Sequence, residues 1–134
     1  MNMEIEKFKE EYLGQIKEIA NKSFPEPKSS NFFKKYSDDY FIVALINNKV
    51  VGFFIAQGEH AILLAVDPAY RHHGIGKKLM EYVEKRFSYL YLRVREHNKV
   101  AINLYKELGW KIKRKIERYY KNGDNAIEME YHKK

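Results

Sequence analysis

Apolar positions along this chain change their period several times, and each change marks an element. Met3 to Lys7 can open the chain with a strand. From Glu10 on, Tyr12, Leu13, Ile16, Ile19 and Ala20 keep helical spacing, and Phe24-Pro25-Glu26-Pro27 ends that helix, because two close prolines stop it and stiffen the connection. Ser30 to Tyr36 fits a short second helix, capped by Ser29 or Ser30. Tyr40–Ile46 and Lys49–Gln57 are apolar, β-branched and aromatic runs joined through Asn47-Asn48, which predicts a hairpin, since asparagine tolerates positive φ.

A third such run spans His60–Val66. It leads into Arg71-His72-His73-Gly74-Ile75-Gly76 and then an amphipathic helix from Lys77 to Phe87, on whose inner face Leu79, Val83 and Phe87 recur every four residues. Tyr89–Val94 reads as a strand, and Asn98 suits the N-cap of a helix with the stripe Ala101, Leu104, Tyr105 and Leu108, closed by Gly109. Trp110–Tyr119 and Ala126–His132 complete the pattern as two strands around Lys121-Asn122-Gly123-Asp124. The order β-α-α-β-β-β-α-β-α-β-β predicts one α/β domain over residues 1–134, with a mixed sheet and helices on both faces.

Composition narrows the chemistry. Cysteine is absent, which removes disulfides, thiolate metal sites and a cysteine nucleophile, and the five histidines lack metal-ligand spacing, so no metal is expected. The charged N-terminus and the lack of a membrane-length apolar run predict a cytoplasmic protein without a membrane partner. The net charge of +7 favours anionic partners.

The turn between the third strand and its helix holds the most specific chemistry. A glycine-rich turn at a helix start gathers backbone N–H groups and the positive end of the helix dipole at one point, which suits a phosphate. Gly74 and Gly76 let the chain bend and an anion approach, with Arg71, His72, His73, Lys77 and Lys78 adding charge. The competing reading is a βα turn whose glycines serve packing.

Arg71-His72-His73-Gly74-Ile75-Gly76 resembles the R/Q-x-x-G-x-G/A signature of the GNAT superfamily of acyl-CoA N-acyltransferases. Leu92-Arg93-Val94-Arg95-Glu96-His97-Asn98, then Ala101 and Leu104-Tyr105-Lys106-Glu107-Leu108-Gly109-Trp110, resembles that family's second cofactor motif. Phe24-Pro25-Glu26 and Arg118-Tyr119-Tyr120 through Ala126 and Met129 are similar to two loops of one branch, the protein N-terminal (Nα) acetyltransferases, among them the ribosomal-protein alanine acetyltransferases. The resemblance implies a sheet of six or seven strands, splayed between two central parallel strands, with about four helices.

It also implies acetyl-CoA as cosubstrate, its pantetheine paired with the backbone of Leu64, Ala65 and Val66, and its diphosphate held by Arg71, His72, His73, Gly74, Ile75, Gly76 and Lys77. Asn98 either anchors pantetheine or only caps its helix. Tyr105 matches the tyrosine that protonates or hydrogen-bonds the departing sulfur, the alternative being a core tyrosine. The base glutamate of the ribosomal alanine acetyltransferases falls at Arg93, and a guanidinium cannot accept a proton. Glu26, Glu59, His60 or an ordered water are the replacements, and strand alternation lets only one of Glu59 and His60 face the cleft.

Phe24, Pro25, Glu26, Tyr119 and Tyr120 are the implied acceptor-binding residues. The expected reaction is acetyl transfer to the α-amino group of a protein N-terminus, ribosomal proteins among the candidates, with no covalent enzyme intermediate. The alternatives are a small-molecule (polyamine or amino acid) acetyltransferase and a non-catalytic acetyl-CoA-binding module. No nucleic-acid contact is expected except through the ribosome, and the sequence leaves oligomeric state open.

Overall fold

The computed structural model describes residues 2–134. Seven strands form one sheet in the order β1-β2-β3-β4-β5-β7-β6. They are β1 (Met3–Lys7), β2 (Tyr40–Ile46), β3 (Lys49–Gln57), β4 (His60–Val66), β5 (Tyr89–Arg95), β6 (Lys111–Ile116) and β7 (Ala126–His132). Four helices join them: α1 (Leu13–Ser23), α2 (Ser30–Lys34), α3 (Ile75–Val83) and α4 (Lys99–Glu107). No described helix is long and apolar enough to cross a membrane.

Both faces of the central strands are buried, so β3 shows period-two sorting inside a continuous apolar run. Phe53 and Ile55 pack with Ile16, Ile19 and Ala20 of α1 and Phe33 of α2. Phe54 and Ala56 point the other way, to Leu79, Met80 and Val83 of α3 and Ala101 and Ile102 of α4. The β2–β3 turn has positive φ at both Asn47 (50°) and Asn48 (64°), as a two-residue hairpin turn requires.

Several boundaries differ from the sequence expectation: the first helix starts at Leu13 after a 3-10 turn, the second ends at Lys34, and the strand from Tyr89 extends to Arg95. Two larger differences have a backbone reason. The helix expected over Lys77–Phe87 begins at Ile75, because Gly74 takes the N-cap with φ 77°, and it gives way to a turn after Val83. The strand expected over Trp110–Tyr119 is only Lys111–Ile116: Arg118 adopts φ 51°, and its amide donates to the Asn125 side chain at 3.0 Å, which starts the turn early.

The feature that positions the site is the junction of β4 with β5. These parallel neighbours share a single register pair, His60 with Tyr91, supported by the Tyr91 amide donating to the Glu59 carbonyl at 3.0 Å. On its other side β5 pairs with β7 along its whole length, from Tyr89–His132 to Arg95–Ala126. Past His60 the two central strands diverge. Against β3, Leu63 sits opposite Ile55 but Ala61 sits opposite Ala56, so Ile62 is an inserted bulge residue facing the divergence.

Candidate active site

The split in the sheet opens into a cavity of about 240 Å³. Ile62, Leu63 and His60 line it from β4, and Leu92, Arg93, Val94 and Arg95 from β5. Asn98 and Tyr105 reach it from the α4 segment, Phe24, Pro25, Glu26 and Lys28 from the loop after α1, and Tyr119 and Tyr120 from the turn before β7. Phe32 and Tyr36 complete its aromatic wall.

Tyr105 sits in the split itself. Its buried hydroxyl donates to the Leu64 carbonyl at 3.3 Å, bridging α4 to β4 beyond the single β4–β5 register pair. Burial pushes the phenol well above its ordinary pKa, only partly opposed by the Arg71 charge, so Tyr105 keeps its proton and acts as a donor. Leu64 therefore presents its carbonyl to the split, and alternation puts Val66 on the same edge. Ala65 is turned away: its carbonyl lies 3.0 Å from where a Cβ on Gly52 of β3 would stand.

The turn after β4 makes a second, smaller cavity of about 170 Å³, lined by Val66, Arg71, His72, Gly74, Ile75, Gly76 and Lys77 against Leu104, Glu107 and Leu108 of the α4 segment. His72 (φ 66°) and Gly74 (φ 77°) bend this turn. No backbone amide from His72 through Lys77 bonds to another described residue, Lys78 being the first to return to the helix, on the Gly74 carbonyl at 3.0 Å. Six consecutive free amides at a helix N-terminus form an anion cradle. Arg71 adds a buried Nε without a partner among the described residues, an orphan donor that an anion would satisfy. A Cβ on Gly76 would come within 3.0 Å of the Leu108 side chain, so glycine there also lets α3 and α4 approach. These features fit a phosphorylated ligand.

The base candidates separate. Glu59 is exposed in the β3–β4 turn and lines neither the cavity at the split nor the one at the cradle, so it does not join the site. His60 does: its ring stacks on Tyr91 at 4.8 Å and 5°. Burial lowers its pKa, the Arg93 charge lowers it further and Glu128 partly opposes, so the imidazole is neutral at pH 7. Glu26 reaches the cavity but its carboxylate is engaged by Arg95. Asn98 caps α4 by accepting from the Ala101 amide at 3.1 Å, which commits its carboxamide oxygen.

Two arginines hold the loops around the cavity together. Arg95 bonds Asp124 at 2.9 Å, Asn122 at 3.1 Å and Glu26, and lies 3.9 Å over the Tyr120 ring, tying both implied acceptor loops to β5. Arg93 donates from Nε to Glu128 at 2.9 Å and from Nη1 to the Tyr119 hydroxyl at 3.3 Å. Glu128 is buried and also bound by Arg114 at 3.1 Å, and these hydrogen-bonded cations hold its carboxyl below the usual range despite burial. Sequence reasoning missed Arg95, Glu128, Lys28 and the wall of Ile62, Leu63, Phe32 and Tyr36. The one local signal was a lone glutamate at 128 inside an otherwise apolar strand start.

The profile of the acetyltransferase (GNAT) family matches residues 10–110. An uncharacterized N-acetyltransferase of Methanocaldococcus jannaschii is 30% identical over 140 residues, covering 95% of this chain and 90% of that protein. An N-alpha-acetyltransferase of Sulfurisphaera tokodaii is 31% identical over 142 residues, covering 87% and 85%. Among solved structures, Ard1 from Thermoplasma volcanium superimposes with a TM-score of 0.84 at 26% identity over 98% of each chain.

Proposed function

The chain belongs to the acetyltransferase (GNAT) family, and from that premise we propose that it moves the acetyl group of acetyl-CoA to the α-amino group of a protein N-terminus. The observation that carries this reading is a single cavity, at the split between β4 and β5, where two loops of acceptor-binding type converge on Tyr105. An N-alpha-acetyltransferase among the relatives supports the same acceptor.

Acetyl-CoA supplies a thioester open to direct attack by a neutral amine. The amides from His72 to Lys77 and the orphan Arg71 donor hold its diphosphate. The edge of β4 at Leu64 and Val66 accepts the pantetheine arm as an added strand would be accepted, the Leu64 carbonyl exchanging its bond from Tyr105. The bulge at Ile62 leaves a backbone amide outside the ladder, a donor for the carbonyl oxygen as it gains negative charge. The released Tyr105 hydroxyl donates its hydrogen bond to the departing sulfur.

Amine activation follows from charge. With the acids bound to them included, Arg93, Arg95, Arg114 and Lys28 stand against Glu26, Asp124 and Glu128, which leaves the wall one positive charge in excess. A positive wall disfavours the ammonium form, and an α-amine with a free pKa near 8 needs little further help. Neutral His60, directly or through a water, takes the proton that the attack releases.

The test is mass spectrometry of a peptide library after incubation with acetyl-CoA. Acetyl groups on peptide α-amines are the expected result. Turnover of polyamines or free amino acids, with every peptide untouched, overturns the reading.

A further inference from the structure

We propose that Arg93 is a specificity-determining residue, and that the acceptors this chain prefers carry a carboxylate side chain within their first two residues. The inference rests on the reading of the acceptor as a peptide N-terminus and concerns the same cavity.

The guanidinium of Arg93 stands on the cavity wall with a quarter of its side chain exposed. Two of its five N–H groups have partners, Nε on Glu128 and one on Nη1 to the Tyr119 hydroxyl. Nη2 bonds no described residue. The fork is held rigid by Glu128 behind it and by Tyr91 and Tyr119, whose rings lie 5.4 Å and 5.2 Å from the guanidinium carbon. A fixed guanidinium with unused donors in a half-buried cleft matches the planar geometry of a carboxylate.

Local charge points the same way. Arg93 and Arg114 share the one carboxylate of Glu128, which leaves this corner of the wall a net cation, and Lys28 adds another on the facing loop. The other acid on the wall, Glu26, is held by Arg95. An acceptor with lysine near its N-terminus would bring a third positive charge to this corner, while aspartate or glutamate would complete it. At the position where the resemblance implies a glutamate, this chain has the opposite charge, and the carboxylate stands one strand away, directly across the register on β7.

A purely structural Arg93, there only to hold Glu128 and Tyr119, would affect all acceptors alike. The experiment therefore reads a ratio. With the full chain and saturating acetyl-CoA, kcat/KM is measured for peptides beginning Met-Asp, Met-Asn and Met-Lys, and for Asp-Ala against Asn-Ala. In the better of the two frames the aspartate peptide is expected to exceed its asparagine isostere by about tenfold, with lysine lowest and the gap shrinking in high salt. In Arg93→Met the ratio falls to about one, whatever happens to absolute turnover, and Arg93→Lys keeps part of it. Arg114 remains on Glu128 in both variants, so the buried acid keeps a partner. A wild-type ratio of one, or a preference that survives in Arg93→Met, overturns the assignment while leaving peptide acetylation intact. Acetylation of no peptide at all removes the parent reading as well.

Discussion

From His72 to Lys77, six successive amides bond no other described residue and are aimed by two positive-φ residues and a helix start, all within a short stretch of chain. Across the split, Arg93, Arg95, Glu26, Tyr119 and Tyr120 come from β5, the loop after α1 and the turn before β7, and mostly one another's side chains hold them. One half of the site is main chain and local. The other is side chain and assembled from distant segments. Main-chain donors cannot be altered by substitution without changing the backbone, which suits a ligand part that never varies. A side-chain network can change its charge one residue at a time, which suits a ligand part that varies, and Arg93 stands where the resemblance implies a glutamate.

The largest effect should come from deforming the main-chain half. Gly76→Val puts branched carbon where even a Cβ would stand 3.0 Å from Leu108, forcing α3 away from α4 at its first turn. Overpacking of this kind costs about 1–3 kcal/mol of stability, and acetyl-CoA affinity measured by calorimetry should fall roughly a hundredfold as the amides lose their common focus. Lys77→Ala, which removes only an exposed charge, should weaken binding by less than about fivefold. If the two variants bind alike, the cradle is not a main-chain device and the contrast between the halves disappears.

The same contrast explains what could be read from sequence. The cradle was legible because its residues are consecutive: glycines at 74 and 76, an apolar strand before them and a helical stripe after. The Asn47-Asn48 hairpin was legible for the same reason. The Arg95 hub was not, since its partners at 26, 122 and 124 are joined only by folding, and nothing local distinguishes a hub arginine from a solvated one. Nor could Glu128 be recognised as the partner of Arg93, because that pairing depends on the β5–β7 register. Glu59 and His60 illustrate the boundary case: alternation said that only one could face the cleft, and the position of the β3–β4 turn decided it for His60.

Arg95→Met tests the side-chain half at intermediate size. It deletes every bond from β5 to Glu26, Asn122 and Asp124, together with the stacking on Tyr120, so both acceptor loops lose their shared anchor. Steady-state kinetics should show peptide KM raised about tenfold, with acetyl-CoA affinity unchanged because the cradle contains none of these groups. A parallel loss of acetyl-CoA binding would mean that the halves are mechanically coupled.

His60 should give an effect no larger than that of Arg95 and the sharpest pH signature. Its imidazole is held below 6.5 by burial first and the Arg93 charge second, with Glu128 opposing. In the unfolded chain the same group protonates near 6.5. Between those two values the unfolded state binds the extra proton, so stability falls as pH drops from 6.5 through the folded-state midpoint, and His60→Gln should lack that slope. The ring is only half buried, so the slope is shallow. In catalysis the sign is the same: near pH 7 the variant should be about three- to tenfold slower. It should approach the wild type near pH 9, where the acceptor amine is already neutral, and again below the folded-state midpoint of His60, where the wild-type ring is protonated. Titration of the His60 ring followed by NMR fixes the midpoint directly. A midpoint above 6.5 would mean that Glu128 outweighs both burial and the Arg93 charge at His60, and the ring would then be protonated where the acceptor half needs a neutral base.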